Sequence, residues 1–291
     1  MRISNQLLTD RVLNNLSQVQ NRLLKWHTQG SSGRKINVPS DDPAGTVTSL
    51  RHRTKIAEMA RYTRNNAEAS EWLTVTEHAI SDLQQNLHRV REIAVAGASS
   101  SQSSGAYHAM KEEIEQIIEH FVAVGNSSHN GRYLFAGHQT GSPAFTRDGD
   151  DIDYEGDAGK IVREIGQGIT LPINVNGGDL LGNVFPFLIE VRDALDAGDA
   201  GAVSALLDDL NQVEDGLLRE RVRMGATMKR AEQTEMRLED AMLMAERLLS
   251  EVQDADMAEV AMRLHVEEAS YRHALSVGGR IIQPTLMDFL R

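Results

Sequence analysis

The densest set of metal-capable side chains is Asp148-Gly149-Asp150-Asp151-Ile152-Asp153, four carboxylates in six residues. Carboxylates at that density suit calcium. An EF-hand loop, however, needs an oxygen ligand where Ile152 stands and a glycine where Asp153 stands. The stretch therefore reads as an acidic strand end. His265, Glu268 and His273 are a second candidate, with His265 and Glu268 sharing a helical face. A zinc helix presents two histidines four residues apart, and the sequence has no His-x-x-x-His pair. Ser32-Gly33-Arg34-Lys35 has the Ser-x-x-Lys spacing of a lysine-activated nucleophile, but the companion Ser-Asp-Asn and Lys-Thr-Gly motifs are missing. There is no phosphate-cradling glycine loop and no Gly-x-Ser-x-Gly elbow. The expectation is a protein with no catalytic, cofactor or metal site, and not an enzyme.

Composition narrows the classes further. The formal net charge is −12 over 291 residues, and a polyanion is repelled by nucleic acid and by anionic lipid, so neither is an expected partner. Basic clusters such as Arg51-His52-Arg53 and Arg219-Glu220-Arg221-Val222-Arg223 lie inside helical patterns and read as solvated faces. The absence of cysteine excludes disulfides and thiolate chemistry without fixing the compartment. No apolar run is long enough for a membrane span, and the N-terminus lacks the apolar segment of a cleaved signal peptide. Aromatic residues are only 4% of the chain. Long helical bundles favour small and flexible apolar residues, because their cores are one or two side chains thick.

The elements follow from periodicity. From Pro43 to about Ala96, apolar residues recur at Ala69, Leu73, Thr76, Ile80, Leu83, Leu87, Val90 and Ala94, with Thr76 the polar exception. Alternating steps of four and three make the seam of a coiled coil. Ser40, Asp41 and Asp42 can cap this helix, and Pro43 suits its first position. At 1.5 Å per residue it would be about 80 Å long, a rod that needs partner helices to cover one stripe. Residues 110–124 repeat the pattern with Met110, Ile114, Ile117, Phe121 and Val124. So does a longer seam through Leu217, Met224, Met228, Ala231, Leu238, Met242, Ala245, Leu249 and Val252, where Arg221 and Glu235 are exceptions. The predicted fold is mainly α, an elongated antiparallel helical bundle or coiled coil with a small inserted β domain.

The insertion lies between the helices. Arg132–Ala136 reads as a short strand. Asp151–Tyr154 and Ile161–Ile165 read as two strands joined by a turn at Gly156-Asp157-Ala158-Gly159, and Ile169–Val175 as a further strand. Glycine-rich borders suggest that 138–178 could be replaced without loss of the rod. Helix resumes near Asn183, breaks at Gly198-Asp199-Ala200-Gly201, and leads into the long seam.

Both ends of the chain break register. Residues 3–28 form a helix with the seam Val12, Leu16, Val19, Leu23 and Trp26, ended by Gly30-Ser31-Ser32-Gly33. At Asp254-Ala255-Asp256 the long seam slips, and a new one runs Met257, Ala261, Leu264, Glu268, Tyr271, Leu275, Gly278, Ile282. A slipped register hands a stripe to a different partner. The two ends are therefore expected to pair with each other. The domains expected are 1–42 with 255–291 as a terminal coiled-coil module, 43–130 with 181–254 as the helical bundle, and 131–180 as the β insertion. Gly278-Gly279 and Pro284 would weaken the last helix, leaving Leu286, Met287, Phe289 and Leu290 as an apolar tip.

Several stretches, in order, resemble a known family. Ser32-Gly33-Arg34-Lys35-Ile36-Asn37 and Asp41-Asp42-Pro43-Ala44-Gly45 are similar to the flagellin-type N-terminal motif. Gly131-Arg132-Tyr133-Leu134-Phe135-Ala136-Gly137, with Gln139-Thr140 and Pro143-Ala144-Phe145, resembles the signature of the hook–filament junction family, hook-associated protein 3. Asp254–Glu259 and Ile282–Arg291 resemble the flagellin-type C-terminal helix. The resemblance implies a structural subunit of the bacterial flagellum, extracellular, and exported unfolded through the flagellar type III apparatus without a cleaved signal. It implies self-assembly into a ring between the first hook-associated junction protein and flagellin, and an export chaperone acting on the C-terminal helix. The terminal helices would form an inner tube, with Val12, Leu16, Val19, Leu23, Leu264, Tyr271, Leu275, Ile282, Leu286, Phe289 and Leu290 as its interface. Two other readings stand beside this one: flagellin itself, and a helical ligand binder or enzyme with its site in the β insertion.

Overall fold

The computed structural model describes residues 2–99 and 102–282. The helices are α1 (Arg2–Ser32), α2 (Pro43–Gly97), α3 (Ser104–Gly125), α4 (Gly177–Leu181), α5 (Val184–Asp196), α6 (Ala200–Gln253) and α7 (Met257–Ile282). The strands are β1 (Ser128–His129), β2 (Arg132–Tyr133), β3 (Phe145–Asp148), β4 (Asp151–Tyr154), β5 (Val162–Gly166) and β6 (Ile169–Pro172). The fold is mainly helical, with long antiparallel helix pairs and small inserted hairpins, in agreement with the expected class. Two compact units can be told apart, Met59–Asp240 and Met1–Glu58 with Ala241–Arg291. α2 and α6 each supply residues to both.

The central unit is built on the α2 seam. Every residue of that stripe, Ala69 to Ala94, is buried. Thr76 is tolerated there because its hydroxyl donates to Trp72 O at 2.9 Å within the helix. α6 runs antiparallel to it: Asn66 Nδ2 donates to Ala231 O, Arg221 to Glu77, and Arg91 to Glu214. The seam exception Arg221 is thereby explained, its guanidinium bonding Glu77 at 2.8 Å and Gln84 at 2.5 Å. α3 lays Ile114, Ile118 and Phe121 into the same core, and α5 adds Phe185, Leu188 and Val191. Ser103 caps α3 by accepting from Ala106 N.

The insertion differs from expectation in two ways. First, β4 does not pair with β5. Its partner is β3, across a turn at Gly149-Asp150, while β5 pairs with β6, so Gly156–Gly159 joins separate hairpins. The strand expected over Arg132–Ala136 is only Arg132-Tyr133, paired with β1 across Asn130-Gly131. Both turn residues have positive φ (51° and 74°), as a tight two-residue hairpin needs. Second, the insertion is not separate from the buried core of the helices. Leu134, Phe135, Ala136, Phe145, Ile165, Leu171 and Ile173 belong to the same buried cluster as α2, α3 and α5. Short strands with little surface of their own become stable by burying side chains in a helical core.

In the terminal unit α1 packs along α7. α1 continues through Gly30 to Ser32, and only Gly33, at φ 70°, ends it. The expected breaker is thus a single residue, and Gly30 is helical. α7 likewise passes through Gly278-Gly279 unbroken to Ile282.

Candidate assembly interface

The predicted α1 stripe is correct: Val12, Leu16, Val19, Leu23 and Trp26 are the half-buried positions, with exposed residues between them. On α7 the stripe is shifted. The positions turned inward are Val260, Leu264, Glu267, Glu268, Ser270, Tyr271, Ala274 and Gly278, while Met257, Ala261 and Leu275 are exposed. Leu264, Glu268, Tyr271 and Gly278 hold their expected places. Ile282 is helical, and the expected interface residues Leu286, Phe289 and Leu290 lie outside the described residues. Leu275 is 47% exposed, and Leu13, Leu24, Met262, Val266 and Val277 are exposed with it. Two helices cover one stripe each; these side chains form what they leave uncovered.

Two of the motif stretches meet at the base of this pair. Lys35 N donates to Gln253 O (2.8 Å) and Ala255 N to Gly33 O (2.9 Å), with a bridge between Arg34 and Asp254. The buried Gln29 donates to Lys35 O, and the buried Gln253 accepts from Arg53. Lys35 Nζ reaches Glu251 O, so the Ser-x-x-Lys spacing serves a connector and not a nucleophile. Asp41 accepts from Asn37 N and Val38 N, and these bonds hold its carboxyl below the usual range. Asp42 is the residue that caps α2, accepting from Gly45 N. Asp256 caps α7 through Ala258 N and Glu259 N.

The signature stretch 131–137 is also structural. Tyr154 OH lies 2.9 Å from Phe135 O, and Gly177 N donates to Phe135 O at 3.0 Å. Asp157 accepts from His138 N and Gly159 N, which lowers its carboxyl. Burial pushes the Tyr154 phenol up. One carboxylate of the acidic run, Asp150, belongs to an ion cluster. Asp150, at the β3–β4 turn, takes a bidentate pair from Arg192 of α5 at 2.5 and 2.9 Å, and Arg147 and Arg192 both reach Glu115 of α3. The bond to Asp150 holds the Arg192 guanidinium firmly charged. Burial pushes the Glu115 carboxyl up, but the two arginines outweigh it and leave it below its ordinary value. The arginine partners were not foreseen from the sequence, since Arg192 lies in a helix 42 residues from Asp150.

Among the described residues no group of three or more His, Asp or Glu is placed to hold a metal. A cavity of about 310 Å³ lies between α6 and the insertion, lined by Leu73, Lys160, Asn174, Asn176, Met224 and their neighbours. Its asparagines are engaged with backbone: Asn174 with Ile161 N and Gly159 O, Asn176 as the cap of α4. No described helix is long and apolar enough to cross a membrane.

The family described as bacterial flagellin N-terminal helical region matches residues 3–140. Flagellar hook-associated protein 3 of Salmonella typhimurium is 22% identical over 198 residues, which are 68% of this chain and 62% of that protein. Flagellin of Bacillus subtilis is 26% identical over 285 residues, 89% of this chain and 88% of its own. The crystal structure of FlgL from Bacillus cereus superposes with a TM-score of 0.62 at 25% identity, covering 69% of this chain and 99% of that one. With its paired end helices, long two-helix seam and small inserted hairpins, this chain is similar to flagellin-like structural proteins. It shares its fold with the solved FlgL structure, and the chain spans 62% of the length of the Salmonella hook-associated protein 3.

Proposed function

We propose that this chain is the subunit joining hook to filament, with residues 1–42 and 255–291 as its assembly module. The observation that carries the proposal is the set of apolar side chains that the α1·α7 pair leaves exposed, Leu13, Leu24, Met262, Val266, Leu275 and Val277. In a ring each pair meets neighbouring pairs, and burying one such side chain contributes about 1.5–3 kcal/mol. The partners are further copies of the chain, the first hook-associated protein on the hook side and flagellin on the filament side. An export chaperone covers the C-terminal helix before assembly, and the assembled subunit is extracellular.

Leu275→Asp tests this. Leu275 is exposed in the single chain, so the monomer's thermal melt should move by less than about 0.5 kcal/mol. In the ring the same carboxylate would be buried unpaired, and incorporation at the hook tip should be lost. Normal filaments on cells carrying the variant would refute the assignment. The long alignment with Bacillus subtilis flagellin favours a second reading, a filament subunit. Deleting the gene separates the two. A junction subunit's loss leaves hooks without filaments and flagellin shed into the medium; a filament subunit's loss leaves no flagellin to shed.

A further inference from the structure

The pairing of α1 with α7 is marked at three levels. Near one end Val12 stands over Gly278, where an added Cβ would lie 3.0 Å from the valine Cγ1. Near the other end Val260 stands over Gly30, where the same atom would lie 3.3 Å away. Between them Arg22 Nε donates to Glu267 Oε1 at 2.9 Å. Each helix thus carries one valine and one glycine, and on each they are 18 residues apart. That is about five turns at 3.6 residues per turn, so both lie on one face. The two contacts are reciprocal and share one antiparallel register.

We propose that these two valine–glycine contacts, with the Arg22–Glu267 pair between them, form a key that admits a single register of the terminal helices. The apolar seam by itself discriminates weakly. After a slip of seven one way Val19 and Leu23 would still meet the apolar Leu264 and Val260. The key does discriminate. A slip of seven residues one way brings Val12 level with Tyr271, where there is no glycine gap. A slip the other way brings Gly30 level with Glu267. In both, the carboxylate moves about 10 Å from Arg22. Glu267 Oε2 is already buried without a hydrogen-bond partner among the described residues, so losing Arg22 would leave the whole carboxylate uncompensated. The key is a property of the single chain and stands apart from the assembly reading. Its consequence is that the exposed leucines of α1 and the exposed Met262, Val266 and Val277 of α7 are presented in one fixed pattern.

The chain has no cysteine, so spin labels can be placed at will. Labels at the exposed positions Asn14 and Ala261 of the full chain report the register as a distance. The parent should give one narrow distribution. Gly278→Val should displace it by about 10 Å or broaden it beyond that width. Val12→Ala combined with Gly278→Val moves the bulk from one helix to the other and should restore the parent distribution. An unchanged distribution in Gly278→Val would overturn the key. So would a double variant as disturbed as the single one, since that would show a general weakening of the helix instead of a lost fit.

Discussion

The central unit and the terminal unit use the same seam pattern and reach different degrees of burial. In Met59–Asp240 the stripe of α2 is covered by α6, α3, α5 and the insertion, and Ile80, Leu83, Leu87 and Val90 are wholly inaccessible. In the terminal unit α1 packs chiefly against α7, and most of their stripe is half-buried, with Val260 and Gly278 buried. A coiled-coil period therefore says which face is apolar but not how many helices will cover it. Two helices leave a flank of each in water, and the energy of covering those flanks is still available to a neighbouring subunit. The central unit has little of that reserve, because its layers have already closed over the seam.

The largest effect should come from removing a layer of the central unit. Replacing 138–178 with a short Gly-Ser linker deletes Phe145, Ile165, Leu171 and Ile173 from the core, and the cooperative melt followed by circular dichroism should be lost. A chain that still melted cooperatively at the parent temperature would show that the hairpins only decorate the bundle.

Next in size is a matched pair of truncations. Phe121→Ala, at a wholly buried site, should cost about 3–5 kcal/mol in denaturant unfolding. Leu16→Ala, at a half-buried site on α1, should cost about 1 kcal/mol or less in the same monomer. Equal losses would erase the distinction between the two units.

A smaller effect belongs to the ion cluster. Arg192→Leu removes charge-assisted hydrogen bonds to Asp150 and Glu115 and should destabilise the chain by about 1.5–3 kcal/mol at pH 7. Glu115 is held below its ordinary value of 4.5, so its contribution is present above that pH and fades as pH falls through the lowered folded value. The difference between parent and variant should accordingly narrow below about pH 4.5. A difference independent of pH would mean that Arg192 acts through packing alone.

Much of this was legible in the sequence. The α2 helix was legible in its four-three spacing, its Asp42-Pro43 start and its serine-rich end. The α1 stripe could be read to the residue, because a seam is a local repeat and every turn restates it. The α7 stripe was harder. Glu267 interrupts it, and the apolar Leu275 offers a false continuation, so only packing against α1 selects Ala274 instead. Strand pairing was the weakest point. Hairpins of four residues have almost no period to read, and β4 had an equally good candidate on either side. The roles of Gly30 and Gly278 could not be read at all. A glycine inside a helix looks like a flaw until the valine that fills its place is known, and that valine lies at the other end of the chain. The sequence by itself determined where the helices run and which face of each is apolar, since both follow from repeats within a few residues. Only the tertiary structure decided which faces meet, how completely they are covered and where the arginines find their carboxylates, because those depend on groups tens to hundreds of residues apart.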